Sequence, residues 1–116
     1  MRIVFEHYFD AAHKLPDSED LVTKKCTNLH GHTYKVILEL EGTPAKSGLL
    51  TDYAVIKETI DVLDHKYLND IMELTPTTAE NVAIFLKQLL ADNTGLKVNY
   101  VGVCEGWKGK DIYAYA

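Results

Sequence analysis

The chain has little of what would make it a secreted, disulfide-stapled or membrane-spanning protein. Only two of its 116 residues are cysteine, which is too few for a disulfide framework, and only three are proline. Its apolar runs are far shorter than the roughly 20 residues that span a bilayer. The first residues lead straight into patterned sequence, so we expect no signal peptide. These absences predict a cytoplasmic protein with reduced thiols and no membrane partner.

Positive charge is also scarce, with 12 lysine and arginine residues against 17 aspartate and glutamate residues and a net charge of −5. Because neutralising phosphates needs clustered cations, we expect no nucleic-acid partner. Apolar residues make up 47% of the chain and charged residues 25%, which is typical of a folded domain and excludes a disordered one. Since no linker, repeat or low-complexity stretch is present, residues 1–116 are predicted to form a single domain.

Alternating side chains predict two strands in the first third of the chain. Residues 2–13 are rich in aromatic and β-branched side chains, and His7 and His13 share one parity. Residues 30–41 alternate in the same way. The polar segment 14–29 between them predicts a loop.

A helical period replaces the alternation after residue 51. Apolar side chains step by three and four over residues 53–67, which predicts a first helix with Asp52 as its N-cap. A second helix is predicted from Thr77, with Glu80 at the third helical position of a capping box, to a stop at Gly95.

Two further short strands, over residues 97–105 and 111–115, complete the order ββααββ. This order predicts an α+β fold in which a four-stranded antiparallel sheet carries two helices on one face. The other face would leave aromatic and aliphatic side chains partly exposed in a monomer. We therefore expect a homo-oligomer.

Five histidines are the most informative feature of so short a chain. His30 and His32 are two positions apart, so on a strand they share one face and lie about 6.6 Å apart along it. With a third imidazole from elsewhere they would make a three-histidine zinc site with an open fourth position, the pattern of catalytic zinc. The alternative is that both are polar residues at the start of a strand and bind nothing.

Three other places could carry chemistry, and each has an ordinary structural explanation. Cys26 lies in a lysine-containing segment, where cations favour the thiolate, or it is an inert loop cysteine. Asp64 and His65 follow the first helix, where adjacent side chains diverge by roughly 100° and need not bond each other, so they could be a helix-end pair. Glu105 ends an apolar strand and is either solvated or an acceptor for the N–H groups of a flat heterocycle.

Taken together and in this order, these motifs resemble the 6-pyruvoyl-tetrahydropterin synthase and 6-carboxytetrahydropterin synthase family across essentially the whole chain. Each motif alone is weak, and the five in order are specific. The matching segments are Phe9–His13, Cys26–Tyr34, Leu63–Asn69, Thr78–Asn81, and Glu105 with Tyr113 downstream.

The resemblance implies the tunnelling fold, whose trimers close their sheets into a barrel and usually stack into hexamers. It also implies that the cofactor is Zn²⁺ and that His13, His30 and His32 bind it. The active sites would lie at the interfaces between subunits.

The catalytic roles are likewise what the resemblance implies. Cys26 would be the general base. Asp64 and His65, supplied across a subunit boundary, would tune and relay its proton. Glu105 would anchor the pterin ring and is also counted among the proton-relay groups in some members of the family.

The same resemblance implies the substrate, 7,8-dihydroneopterin triphosphate, with Thr78 and Glu80 beside the pterin ring. One branch of the family eliminates triphosphate and yields 6-pyruvoyltetrahydropterin for biopterin synthesis. The other also releases acetaldehyde and yields 6-carboxytetrahydropterin for queuosine and other 7-deazapurines. The three residues between Cys26 and His30 resemble the carboxy-forming branch, since animal pyruvoyl-forming enzymes have a longer gap. A pterin-binding oligomer without catalysis is the alternative from another functional class.

The chain departs from the family pattern at two points. Members often carry Lys-Glu-Thr around the pterin-anchoring glutamate, whereas this chain has cysteine before it and Gly106 after it. The acidic net charge is also unusual for a protein that binds a triphosphate. Lys14, Lys24 and Lys25 are the predicted source of local positive charge.

Overall fold

Two long strands, β1 (Arg2–His13) and β2 (His30–Glu41), form the frame of the fold. The computed structural model describes residues 1–73, 75–106 and 109–116. Within these ranges the sheet also contains β3 (Lys66–Tyr67), β4 (Lys97–Cys104) and β5 (Tyr113–Tyr115), in the order β3-β1-β2-β4-β5. The helices are α1 (Tyr53–Asp61), α2 (Leu68–Ile71) and α3 (Ala79–Thr94).

The register of β1 and β2 decides where the polar end of the sheet lies. The two strands pair antiparallel along their whole length, from Arg2 opposite Glu41 to His13 opposite His30. Both strands are confirmed at their predicted bounds, because a long alternation of large side chains fixes which residues face the core. The pairing places two of the histidines directly across from each other.

The fold is α+β as predicted, and the sheet differs from the prediction in one respect. It has five strands in the described part of the chain, not four, and it is mixed, since β3 runs parallel to β1 with Lys66 opposite Ala11. A strand of two residues has no periodicity that a sequence could show, and its residues lie within the stretch predicted as the first helix.

The first helix begins as predicted and ends early. The Asp52 side chain accepts a hydrogen bond from the Ala54 amide at 2.9 Å, so it caps α1. The helix stops at Asp61, and His65 takes a left-handed conformation with φ of 56°. An L-residue rarely adopts that conformation, and here it turns the chain so that β3 can pair with β1.

The second long helix is capped one residue later than the sequence predicted. The Thr78 hydroxyl accepts from the amide of Asn81 at 3.2 Å, so Glu80 occupies the second helical position and not the third. Thr77 does not cap the helix, because its side chain is buried against His13 of β1. The helix ends at Gly95, with φ of 68°, where the sequence predicted its stop.

The core lies between α1, α3 and one face of the sheet. This face carries the even-numbered side chains of β2, from Tyr34 to Leu40, all of which are buried. His30 and His32 have the same parity, so they extend this face beyond the apolar core at its polar end. The largest buried side chains of the core are Phe9, Tyr34, Leu38, Leu40, Ile56, Ile60, Leu63, Leu68, Leu86 and Leu90.

The opposite face of the sheet carries large apolar side chains that remain exposed in the single chain. Val4, Tyr8 and Tyr115 are 56%, 55% and 61% exposed. Among the described helices, none combines the length and apolar character needed to cross a membrane.

Candidate active site

Three histidines converge at the polar end of β1 and β2. His13 ends β1, His30 begins β2 opposite it, and His32 lies one step further along the same face. Their ring centroids lie 4.5 to 5.1 Å apart, and one nitrogen from each lies within 4.8 Å of the others. The structure therefore brings together the three residues that the resemblance implied as metal ligands.

Backbone carbonyls orient two of the three rings. The Nδ1–H of His13 donates to the carbonyl oxygen of Thr77 at 2.8 Å, and the hydroxyl oxygen of Thr77 lies 3.1 Å from the same nitrogen. The Nδ1–H of His30 donates to the carbonyl of Asn28 at 2.7 Å. Because a carbonyl only accepts, these bonds place the proton on Nδ1 and leave Nε2 free to bind a metal ion.

The spacing between the Nε2 atoms of His13 and His32 fits a zinc ion. Tetrahedral zinc with Zn–N bonds of about 2.0–2.1 Å keeps its ligand atoms about 3.3 Å from one another. The Nε2 atoms of His13 and His32 lie 3.2 Å apart. Burial lowers the pKa of both side chains below its ordinary value, which favours the neutral imidazoles that bind metal ions. The three residues could thus hold a metal ion.

Glu105 lies beside the histidines. It follows β4 directly, and its two carboxylate oxygens lie 3.5 Å from Nε2 of His32 and 4.0 Å from Nε2 of His13. Burial raises the pKa of Glu105, while His13 and His30 act in the opposite direction. A cation at the histidines would favour the charged form of this carboxylate.

The residues predicted to bind the substrate line one pocket. Glu105, Thr78 and Glu80 surround a cavity of about 530 Å³ together with Leu21 and Ile112. Such a volume suits a small organic ligand. The start of α3 contributes two of these residues and the end of β4 the third, so the pocket forms only when helix and sheet pack together.

Cys26 lies close to the histidines along the chain but outside their ligand group. It lies in a single 3₁₀ turn (Lys25–Thr27), and its carbonyl accepts from the amide of Leu15 at 2.8 Å. This bond folds the loop back beside the end of β1. The thiol is free and half-buried. Nearby, Lys24 pairs with Asp17 at 2.5 Å, which compensates one of the three charges predicted to attract a triphosphate.

Asp64 and His65 form a bonded pair, contrary to the helix-end interpretation. Nδ1 of His65 lies 2.9 Å from Oδ2 of Asp64, because the left-handed backbone at His65 brings the two side chains together. Asp10 forms main-chain hydrogen bonds to both members of the pair. Its amide donates to Asp64 at 3.0 Å, and its carbonyl accepts from the His65 amide at 2.6 Å.

His65 lines a different cavity from Glu105. This cavity is bounded by Asp10, His32, Thr33, His65 and Tyr67, at the edge where β3 joins the sheet. His65 is 78% exposed. Its position at an open edge accords with the expectation that the pair serves the site of an adjacent subunit, which stays a prediction.

Two supporting residues were missed by sequence reasoning. Asn28 and Thr77 orient His30 and His13 through main-chain oxygens. A carbonyl is present at every position, so no residue type in the sequence marks these contacts. Thr77 was recognised only as a helix cap, and its burial next to a histidine depends on the packing of α3 against β1.

Comparisons with known proteins show the family to which the chain belongs. A family model described as 6-pyruvoyl tetrahydropterin synthase matches residues 2–115. A Haemophilus influenzae protein named 6-carboxy-5,6,7,8-tetrahydropterin synthase is 34% identical over 104 residues, which cover 82% of this chain and 69% of that protein. A Synechocystis sp. protein of the same name is 34% identical over 97 residues, covering 74% and 72%. The solved structure of Caenorhabditis elegans 6-pyruvoyl tetrahydropterin synthase superposes with a TM-score of 0.70 at 27% identity, covering 94% of this chain and 91% of that one.

Proposed function

Since this chain belongs to the 6-pyruvoyl tetrahydropterin synthase family, we propose that it is a zinc-dependent 6-carboxytetrahydropterin synthase. Its reaction would convert 7,8-dihydroneopterin triphosphate into 6-carboxytetrahydropterin, acetaldehyde and triphosphate, and so serve queuosine or 7-deazapurine synthesis. The observation that carries the proposal is the convergence of three histidines and Glu105 at one end of the sheet, beside a pocket of ligand size.

His13, His30 and His32 would hold the zinc ion. When bound there, zinc supplies a Lewis acid that makes a carbon-bound proton beside a coordinated hydroxyl easier to remove. The chain's own contribution is to favour the neutral imidazoles of His13 and His32 by burial, which lowers the pKa of both, and to orient His13 and His30 through Thr77 and Asn28.

Glu105 would hold the pterin ring by accepting two parallel hydrogen bonds from its N–H groups, as a carboxylate does with any pair of adjacent donors. Thr78 and Glu80 would contact the ring from the start of α3. The substrate would thereby lie with its side chain toward the histidines.

The Cys26 thiolate would remove the carbon-bound proton as the general base. The Asp64–His65 pair of an adjacent subunit would accept that proton in turn. The carboxylate raises the pKa of His65, which suits a group that must bind a proton temporarily. The carboxy-forming reaction is favoured by the short spacing between Cys26 and His30 and by the names of the two bacterial relatives.

The pyruvoyl-forming reaction is the second candidate, because the Caenorhabditis elegans structure carries that name. The two reactions share the substrate and differ in their products. Incubating the zinc-loaded protein with 7,8-dihydroneopterin triphosphate, and measuring pterin mass and acetaldehyde together, separates them. A 6-carboxy product with acetaldehyde is the expected result. A 6-pyruvoyl product without acetaldehyde would replace the proposal, and no product at all would favour a non-catalytic pterin-binding protein.

The Cys26→Ala variant tests the base in the same assay. We expect it to lose turnover while keeping its zinc, since the ligand group consists of histidines. The Cys104→Ala variant is the matched control, because Cys104 is the other cysteine and its side chain lies on the opposite face of the sheet from Glu105. Full turnover by Cys26→Ala would exclude a thiolate base.

A further inference from the structure

A second histidine–aspartate pair joins β1 to α1, outside the set of residues proposed to bind zinc and substrate. Nε2 of His7 lies 2.8 Å from Oδ1 of Asp61. His7 lies in the middle of β1, and Asp61 is the last residue of α1. In the described part of the chain, this is the hydrogen bond that joins α1 directly to β1. The two side chains are only 21% and 28% exposed, although both are polar and neither has a role in the proposed reaction.

The charge of Asp61 strengthens this contact. Because a carboxylate only accepts, the proton of the bond belongs to Nε2 of His7, whether the ring is neutral or charged. The other oxygen of the carboxylate accepts from Nζ of Lys57 at 2.9 Å, so each oxygen has its own donor. Burial disfavours the charged carboxylate, yet the hydrogen bonds from these two donors lower the pKa of Asp61 below its ordinary value. The Asp61 side chain is therefore fixed in one orientation, with one oxygen directed toward the strand.

Asp61 and the Asp64–His65 pair belong to one short connection between α1 and β3. The carbonyl of Asp61 accepts from the amide of Asp64 at 3.1 Å, which closes the turn directly after the helix. The connection is attached to β1 at two places, because His7 bonds to its first residue and Asp10 to its last two. Three steps along a strand span about 10 Å, so the two attachments fix the direction of the turn as well as its position.

The turn needs this support because of its backbone conformation. A φ of 56° at His65 costs free energy in an L-residue and persists only where the surrounding contacts hold it. The same conformation brings Nδ1 of His65 to 2.9 Å from the Asp64 carboxylate. The two side chains are 78% and 34% exposed, so water competes for their bond. A loosened turn would therefore separate the pair.

We propose that His7 is a positioning residue for the Asp64–His65 pair. By holding Asp61, it fixes the end of α1 and keeps the following turn in the conformation that brings the pair together. His7 acts through Asp61, the residue to which it is bonded. The role of the pair as a proton acceptor rests on the proposed function, whereas its positioning by His7 does not.

The pKa of His65, obtained from imidazole chemical shifts against pH, reports on the pair without any reaction. His7→Phe keeps an aromatic ring beside Phe5 and removes the donor to Asp61. We expect the pKa of His65 in this variant to fall toward 6.5, by at least half of the change that Asp64→Asn produces. An unchanged pKa would show that the bonds from Asp10 position the pair by themselves, and it would overturn the proposal.

Conservative variants should preserve the pair. The side-chain amide of His7→Gln can donate to Asp61, and Asp61→Asn keeps an oxygen that accepts from His7. Both should show the His65 titration of the unchanged protein, whereas Asp61→Ala should resemble His7→Phe. If His7→Phe does not fold, Asp61→Ala and Asp61→Asn decide the same question, and equal pKa values of His65 in these two variants would overturn the proposal.

Asn93→Ala controls for a loss of stability alone. The Asn93 amide donates to the hydroxyl of Thr59 in α1 at 3.0 Å, so its removal loosens α1 on the side of α3 and leaves the bond to β1 in place. This variant should lower the Tm and leave the pKa of His65 unchanged. An equal fall of that pKa in Asn93→Ala and His7→Phe would contradict the proposal, because any destabilisation of α1 would then suffice.

Kinetics separate this inference from the proposed reaction. If the protein forms 6-carboxytetrahydropterin, His7→Phe should lower kcat about tenfold and leave KM within about twofold, because a displaced proton acceptor slows the chemical step more than binding. His7→Gln should restore kcat. A protein that forms the product, with the same pKa of His65 and the same kcat in His7→Phe, retains the function and loses the positioning role. A protein that forms no product but shows the fall in pKa keeps the positioning role and loses the function.

Discussion

Several side chains at the polar end of the sheet have buried polar groups, and each buried polar group needs a hydrogen-bond partner to replace the water that it loses. The His13 ring is 1% exposed and satisfies Nδ1 through Thr77, which leaves Nε2 for a metal ion. The hydroxyl of Tyr34 is buried beside the histidine rings and has no hydrogen-bond partner within the described part of the chain. A buried hydroxyl without a partner loses its hydration and gains nothing in return.

Replacing Tyr34 by Phe should therefore stabilise the metal-free protein by about 1 kcal/mol, since it removes the unpaired hydroxyl and keeps the ring stacked on Phe9. Urea unfolding measures this difference. Tyr100→Phe is the control, because Tyr100 is only partly buried and is not among the buried groups that lack a partner in the described part of the chain, so this variant should gain less stability. A loss of stability in Tyr34→Phe would mean that the hydroxyl has a partner after all.

At the scale of elements, long periodic segments were predictable and short ones were not. Alternation, a capping residue and a glycine stop predict β1, β2, the start of α1 and the end of α3. Each of these signals is contained in a short stretch of the sequence. β3 and the left-handed turn at His65 are not predicted in this way, because they exist only through pairing with β1. The turn matters for the site, since it converts two diverging neighbours into a bonded pair.

The pair makes a prediction for acid–base behaviour. Asp64 raises the pKa of His65 by a hydrogen bond and by its charge, so Asp64→Asn should lower that pKa toward 6.5. Because the pKa of His65 is higher in the folded than in the unfolded protein, its protonation stabilises the fold fully below about pH 6.5. This stabilisation is lost as the pH rises through the pKa of the folded state. The variant should therefore lose stability mainly below about pH 6.5.

Imidazole chemical shifts followed against pH by NMR give the pKa of His65 directly. Asp61→Asn is the matched control, because Asp61 bonds to His7 and not to His65. An unchanged titration of His65 in Asp64→Asn would show that the pair does not persist in solution.

At the scale of the whole molecule, the residues proposed to form the active site lie at two places on one chain. The three histidines and Glu105 gather at the polar end of the sheet, while His65 lines a cavity at the β3 edge that His32 also borders. The exposed aromatic and aliphatic side chains of the opposite face are those the sequence predicted for an oligomer. Under the proposed function the Asp64–His65 pair serves the site of an adjacent subunit, so the reaction is predicted to need two copies of the chain.

Mixing two inactive variants tests this arrangement. Cys26→Ala and His65→Ala subunits, exchanged in one oligomer, should regain about a quarter of the original activity, because one site in four would combine two intact contributions. Cys26→Ala mixed with Glu105→Gln should regain nothing, since both residues belong to the same end of one chain. Absence of recovery in the first mixture, after exchange is verified by mass spectrometry, would place the whole site within one subunit.

The sequence by itself determined the α+β class, both long strands, the helix caps at Asp52 and Gly95, and the placement of His30 and His32 on one face of a strand, whereas His13 was named as the third histidine only through the family resemblance. These features depend on local periodicity and on residue types, both of which can be read directly from the sequence. Only the tertiary structure decided that Thr77 and Asn28 orient His13 and His30, that Asp64 bonds His65, and that Glu105 lies near the imidazole nitrogens of His13 and His32 as well as the pocket. Such contacts join residues as many as 92 positions apart, as between His13 and Glu105. These contacts depend on how α3 and β4 pack against β1 and β2, and this packing cannot be predicted from local sequence patterns.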